Sequence, residues 1–141
     1  MRVIPLALAL YFSLVFSEPF CIKGVENDTR EPYLNYALLK TVEKAVLEIG
    51  GELRCEGDAK GILIRIKNFK ETPIAYTPQQ RVSSYNLNLS FEVVVGDRSF
   101  SLSGVVPYSL VSGGLGDIPR RRAIDDLLDK IYLDLLQNLR R

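Results

Sequence analysis

Three consecutive arginines, Arg120, Arg121 and Arg122, open an apolar run of helical spacing. Basic side chains at the start of a helix oppose the positive end of its dipole, a local cost that a bound anion would offset. A helix N-terminus with such side chains can hold a phosphate or carboxylate through charge-assisted hydrogen bonds. The competing reading is solubility plus pairing with Asp125 and Asp126. Arg81, beside Gln79 and Gln80, is by itself an ordinary basic residue at a strand end. Asp125, Asp126, Asp129 and Asp134 share a helical stretch, but no second acidic set stands at metal-ligand spacing, so they read as a solvated face and no metal site is expected. Gly113-Gly114-Leu115-Gly116 lacks the Lys-Ser/Thr ending of a phosphate-binding loop. Ser83, Ser84, Ser101, Ser103, Ser109 and Ser112 offer hydroxyls, yet the chain has no histidine to serve as their base. That removes Ser-His-Asp and Cys-His catalysis together with the commonest zinc ligand. No catalytic residue and no cofactor are expected, and the chain reads as a non-enzyme.

The ends of the sequence bound the rest. Arg2, the apolar stretch Leu6 to Phe16 and the small residues of Val15-Phe16-Ser17 have the layout of a signal peptide over residues 1–17. The apolar stretch is shorter than the ~20 residues that a membrane-spanning helix needs. Residues 18–141 then form one domain, large enough to bury a core. Loss of Arg2 would leave 17 basic against 17 acidic residues, so no global field attracts nucleic acid. Cys21 and Cys55 are the two cysteines. In an exported chain an even count suggests a disulfide. Lipidation of Cys21 and two free thiols are the alternatives, although Glu18-Pro19-Phe20 is unlike the small-residue lead-in of a lipidation site.

The elements that must position these groups follow from periodicity. Residues 20–25 read as a short strand. Asp28 and Glu31 have capping-box spacing, and Pro32 suits a first helical turn. Leu34, Leu38, Val42, Ala45, Val46 and Ile49 then make one apolar helical face that Gly50-Gly51 terminates. Residues 61–69 alternate as a strand, and 70–81, with Pro73 and Pro78, read as a connection. Tyr85, Leu87, Leu89, Phe91, Val93 and Val95 alternate with polar residues over 82–95, the clearest strand of the chain. Gly96-Asp97 predicts a type II′ hairpin turn and a return strand to about Tyr108. Residues 109–118 read as a Gly/Ser loop. Ile124, Leu127, Leu128, Ile131, Leu135 and Leu139 form the stripe of a last helix, which Asp117 can cap and Pro119 can enter. The predicted fold is α+β, order β-α-β-β-β-α: a two-layer sandwich of two amphipathic helices on one face of a four-stranded, mostly antiparallel sheet.

This succession of patterns resembles the lipopolysaccharide-assembly lipoprotein family, LptE, over nearly all of residues 18–141. Phe20-Cys21-Ile22-Lys23-Gly24 is similar to that family's opening Cys-Gly-aromatic-x-Leu-x-Gly. A helix ending in glycine follows, then Gly61-Ile62-Leu63-Ile64-Arg65-Ile66, then Gln80-Arg81-Val82-Ser83-Ser84-Tyr85-Asn86-Leu87 ahead of a strand ending Phe91-Glu92-Val93. The amphipathic helix from Arg122 to Leu139 closes the match. The resemblance implies a non-catalytic subunit on the periplasmic side of the outer membrane, plugging and stabilising a large LptD-like β-barrel. It implies that Arg81 and Arg120 to Arg122 contact lipopolysaccharide. It also implies that the polar strand face of Asn86, Asn88 and Ser90 meets a barrel lumen, which is polar in outer-membrane barrels. The chain departs from the family at the cysteine, where Ile22 follows in place of a small residue. The alternative function is a free-standing periplasmic binding domain for a small or lipidic anionic ligand.

Overall fold

The computed structural model describes residues 17–110 and 117–141. The predicted signal peptide thus lies outside the described residues except for Ser17, as does most of the Gly/Ser loop at 109–118. Seven elements follow one another: β1 (Pro19–Glu26), α1 (Tyr33–Glu48), β2 (Glu52–Leu53), β3 (Lys60–Tyr76), β4 (Val82–Val95), β5 (Arg98–Ser109) and α2 (Asp117–Arg140).

The expected four-stranded, mostly antiparallel sheet is corrected to a five-stranded mixed sheet of order β2-β1-β3-β4-β5. β1 pairs in parallel with both β2 and β3, while β3-β4 and β4-β5 are antiparallel. A helix separates β1 from β3, and a crossover of that kind returns the chain in the same direction, which makes the pair parallel. β2 has two residues, too few to show any alternation.

β3 also runs further than the sequence predicts, through Pro73 to Tyr76. β1 accompanies it only as far as Arg65. Beyond that point β3 has a neighbour on one side alone, where a proline's missing N–H is tolerated. Register shifts between Ile66 and Asn68, and around Ala75, absorb the irregularity.

The entry to α1 differs from a capping box. Pro32 occupies the N-cap and no side chain caps the helix. Asn27 organises the preceding turn instead. Its Oδ1 accepts from the Thr29 N–H at 2.8 Å, and its Nδ2 donates to the Glu31 carbonyl at 3.0 Å. The Glu31 side chain is thereby left for another use. At the other end Gly50 takes φ +84°, a conformation that terminates the helix at low cost only for glycine.

Both helices cover one face of the sheet. Leu87, Leu89, Phe91, Val93 and Val95 of β4 are buried against Leu34, Leu38, Val42 and Val46 of α1 and Ile124, Leu127 and Leu135 of α2 within one cluster. Each such side chain contributes about 1.5–3 kcal/mol relative to exposure. Gly104 of β5 lets α2 lie close: a Cβ there would stand 3.2 Å from Leu127 Cγ and 3.3 Å from Ile131 Cγ2. Cys21 and Cys55 form a disulfide that ties β1 to the segment after β2. With its sulfur so bonded, the buried Cys21 has no thiol left to acylate.

Candidate functional site

α1 and α2 run side by side in the same direction. Tyr33, in the first turn of α1, donates its hydroxyl to both Asp125 carboxylate oxygens at 2.8 and 2.9 Å. Further along, Lys44 Nζ lies 4.7 Å from the Tyr132 ring centroid. The two helix N-termini therefore meet at one end of the sheet, the end where β3, β4 and β5 continue past them towards the β3-β4 turn.

Arg120 reaches down from α2 onto the sheet at this end. Its Nε stands 2.5 Å from Glu71 Oε1 of β3, and its Nη1 3.7 Å from Glu31 Oε2. The Tyr108 hydroxyl of β5 donates to the other Glu71 oxygen. Glu71, Leu87 and Val106 share one cross-strand row, and Tyr108 lies one step along, which is why β3 and β5 side chains can meet over β4. Burial, the largest single influence, opposes the Arg120 charge, but Glu71 and Tyr108 together outweigh it and raise the pKa further. Burial and then the bond to Glu71 push the Tyr108 phenol well above its ordinary value. In the same way burial, followed by the bond to Asp125, pushes Tyr33 up to about 12.

The three arginines thus have separate surroundings. Arg120 is engaged with two carboxylates. Arg121 is exposed, with its guanidinium 5.4 Å from the Tyr33 ring, a cation-π distance. Arg122 is exposed and lines a cleft of about 400 Å3 with Pro107, Tyr108, Ile118 and Pro119. A second cleft of about 450 Å3 lies over Arg30, Glu31, Phe69, Glu71 and Arg120. Arg81 stands apart at the tip of the β3-β4 turn, where its N–H donates to Thr77 Oγ1 and its carbonyl accepts from the Thr77 N–H at 2.7 Å. Nothing in the described geometry joins Arg81 to the arginines of α2. Sequence reasoning missed Glu31, Glu71 and Tyr108. Glu71 lay in a segment read as a connection, and Glu31 was assigned to a cap, so no local pattern announced either as a partner of Arg120. Among the described residues no group of side chains could hold a metal ion. No helix among them is long and apolar enough to cross a membrane.

Among the described residues, the opposite face of the sheet carries no helix. On β4 it presents Asn86, Asn88, Ser90 and Glu92, and on β5 Ser99, Ser101, Ser103 and Val105. Its charges gather at one side, where Arg65 and Lys67 approach Glu92 at 3.6 and 3.8 Å. The remainder is a surface mainly of amides and hydroxyls, with Lys70 opposite Asn88 and the exposed Val105 among them.

The fold is similar to that of a solved bacterial lipoprotein. A minor lipoprotein from Acinetobacter baumannii has 15% sequence identity with the chain, the match covering 86% of this chain and 92% of that one with a TM-score of 0.51. The rare lipoprotein B from Shewanella oneidensis has 11% identity over 86% of this chain and 99% of that one, with a TM-score of 0.46. No family model matches the sequence. A protein of Aquifex aeolicus (strain VF5), described as an uncharacterized protein, is 41% identical over 132 residues, which span 94% of this chain and 91% of that one. The chain belongs to the family of that Aquifex protein.

Proposed function

We propose that this protein is a non-catalytic subunit of an outer-membrane lipopolysaccharide assembly and export translocon. In this reading it is exported to the periplasmic side of the outer membrane and plugs and stabilises a large β-barrel. The observation that carries the reading is the uncovered sheet face of Asn86, Asn88, Ser90, Ser101 and Ser103. A long, polar, hydrogen-bonding surface on a strand pair suits the polar lumen of an outer-membrane barrel. The likeness of fold to a bacterial lipoprotein supports it further. Contact with the anionic glycolipid falls to Arg81, Arg121 and Arg122, because Glu31 and Glu71 already compensate Arg120. The cleft beside Arg122, with its apolar Pro107, Ile118 and Pro119, favours a second reading as an independent binding domain for an anionic amphiphile.

Affinity capture of the tagged chain from detergent-solubilised native membranes, with mass spectrometry of the co-eluting proteins, tests the first reading. Near-stoichiometric recovery of a large β-barrel protein is the expected result. Recovery of the chain alone as a soluble monomer would replace the translocon reading with that of the independent binding domain.

A further inference from the structure

Among the described residues the sheet has four unpaired stretches of edge, and they are not alike: β1 beyond Phe20 is one, interrupted by Gly24 at φ +144° and a register shift. β2 is only two residues long. The free side of β3 beyond Arg65 carries Lys67, Lys70, Pro73 and the register shifts, all devices that discourage strand pairing. β5 differs. The two-residue turn at Gly96-Asp97 makes Val95 and Arg98 a hydrogen-bonded pair, so even-numbered residues of β5 aim their backbone groups at β4 and odd-numbered ones aim them outward. Two contacts agree with that parity. The Leu110 N–H donates to the Ser83 carbonyl at 2.8 Å, and Lys130 Nζ donates to the outward Val105 carbonyl at 3.4 Å. Pro107, also outward, has no N–H and blocks the edge beyond. Between these stops and the turn lie Ser99, Ser101 and Ser103, all exposed, with outward N–H and C=O groups and no charge.

We infer that this edge of β5 accepts one extended segment of a partner polypeptide, about five residues long, as a sixth strand. A second copy of this chain does not suit the place. Symmetric antiparallel pairing of two β5 edges would set the strands about 4.8 Å apart. Each α2 lies directly over its own β5, at Gly104, so the two helices would be nearly as close, whereas packed helices need about 8–10 Å. The occupant is therefore a bare strand. Its side chains on the helix side meet Phe100 and Leu102 and are apolar. Those on the other side lie beside the three serines and are small and polar. An acidic residue at its N-terminal end, in antiparallel pairing, comes next to Lys130. The assignment is independent of what the opposite sheet face contacts.

The test uses the 15N-labelled chain and a blocked peptide of sequence Glu-Thr-Val-Thr-Val-Thr, followed by amide hydrogen exchange. Saturating peptide is expected to slow exchange roughly tenfold at Ser99, Ser101 and Ser103 and to leave Phe100 and Leu102 unchanged. A peptide with Lys in place of the Glu is expected to bind several-fold more weakly. Ser101→Pro removes one outward N–H without touching the ladder to β4 and is expected to abolish binding while melting remains cooperative. If that variant fails to fold, the exchange pattern of the unaltered chain decides alone. No slowing at the solubility limit of the peptide, or slowing at other residues, would overturn the inference. So would a doubled mass by light scattering together with protection of the same amides in the absence of peptide, since the occupant would then be a second copy.

Discussion

Glu71 is the residue on which the arginine end of the molecule depends. It takes the Arg120 guanidinium on one oxygen and the Tyr108 hydroxyl on the other, inside a part-buried row. Glu71→Gln keeps the shape and removes the charge. It is expected to cost about 2 kcal/mol in urea unfolding, between the penalty of an exposed pair and that of a fully buried one. The same variant removes one of the two carboxylates beside Arg120 and is expected to tighten binding of an anionic lipid vesicle several-fold over a neutral one. Titration supplies a second outcome. The phenols of Tyr33 and Tyr108 have pKa values above the ordinary 10, with Tyr33 near 12. A group whose pKa rises on folding contributes stability that is complete below its unfolded pKa and is lost as pH climbs through the folded one. Thermal melts from pH 9 to 12 are therefore expected to fall progressively above about pH 10. Tyr108→Phe, with no phenol to ionise, is expected to flatten part of that decline.

The elements differ in how much of them the sequence discloses. The β4-β5 hairpin is legible because strict alternation and a Gly-Asp turn occur together, and Gly96 takes the φ of +61° that the turn requires. The two helices are legible because each buries one stripe. Three features could not be read. β2 is too short to carry a period. The second half of β3 hides behind Pro73, because a proline breaks a central strand and the sequence does not say that this half is an edge. The parallel pairing of β1 with β3 depends on the path of a crossover, which no local window contains. The arginine site divides likewise: the triplet stands out in the sequence, but nothing there separates Arg120 from Arg121 and Arg122, and its carboxylates arrive from two distant segments. Contact between elements yields a prediction at Gly104, where α2 sits on β5. Gly104→Val is expected to force Leu127 and Ile131 apart and to destabilise the domain by about 2 kcal/mol in chemical denaturation. A Val at Gly57, an exposed glycine with nothing near its Cβ position, would act instead through its φ of +68°.

Taken whole, the domain is closed at one end by covalent chemistry and open at the other. The Cys21–Cys55 disulfide spans 34 residues and encloses α1 and β2. Its reduction is expected to lower stability by about 3–4 kcal/mol in the chain-entropy picture, read as a shift of the denaturation midpoint on adding dithiothreitol. That bond also fixes where the polypeptide enters the fold. Phe20 pairs with Lys60, the first residue of β3, so the chain comes in at the foot of the longest strand. The 17 residues of β3, at about 3.3 Å each, carry the Thr77–Arg81 turn roughly 50 Å from that foot. The protein is thus a ruler with a handle. A contact made at the Phe20–Lys60 foot is therefore held roughly 50 Å from a contact made at Arg81, by a single unbroken strand.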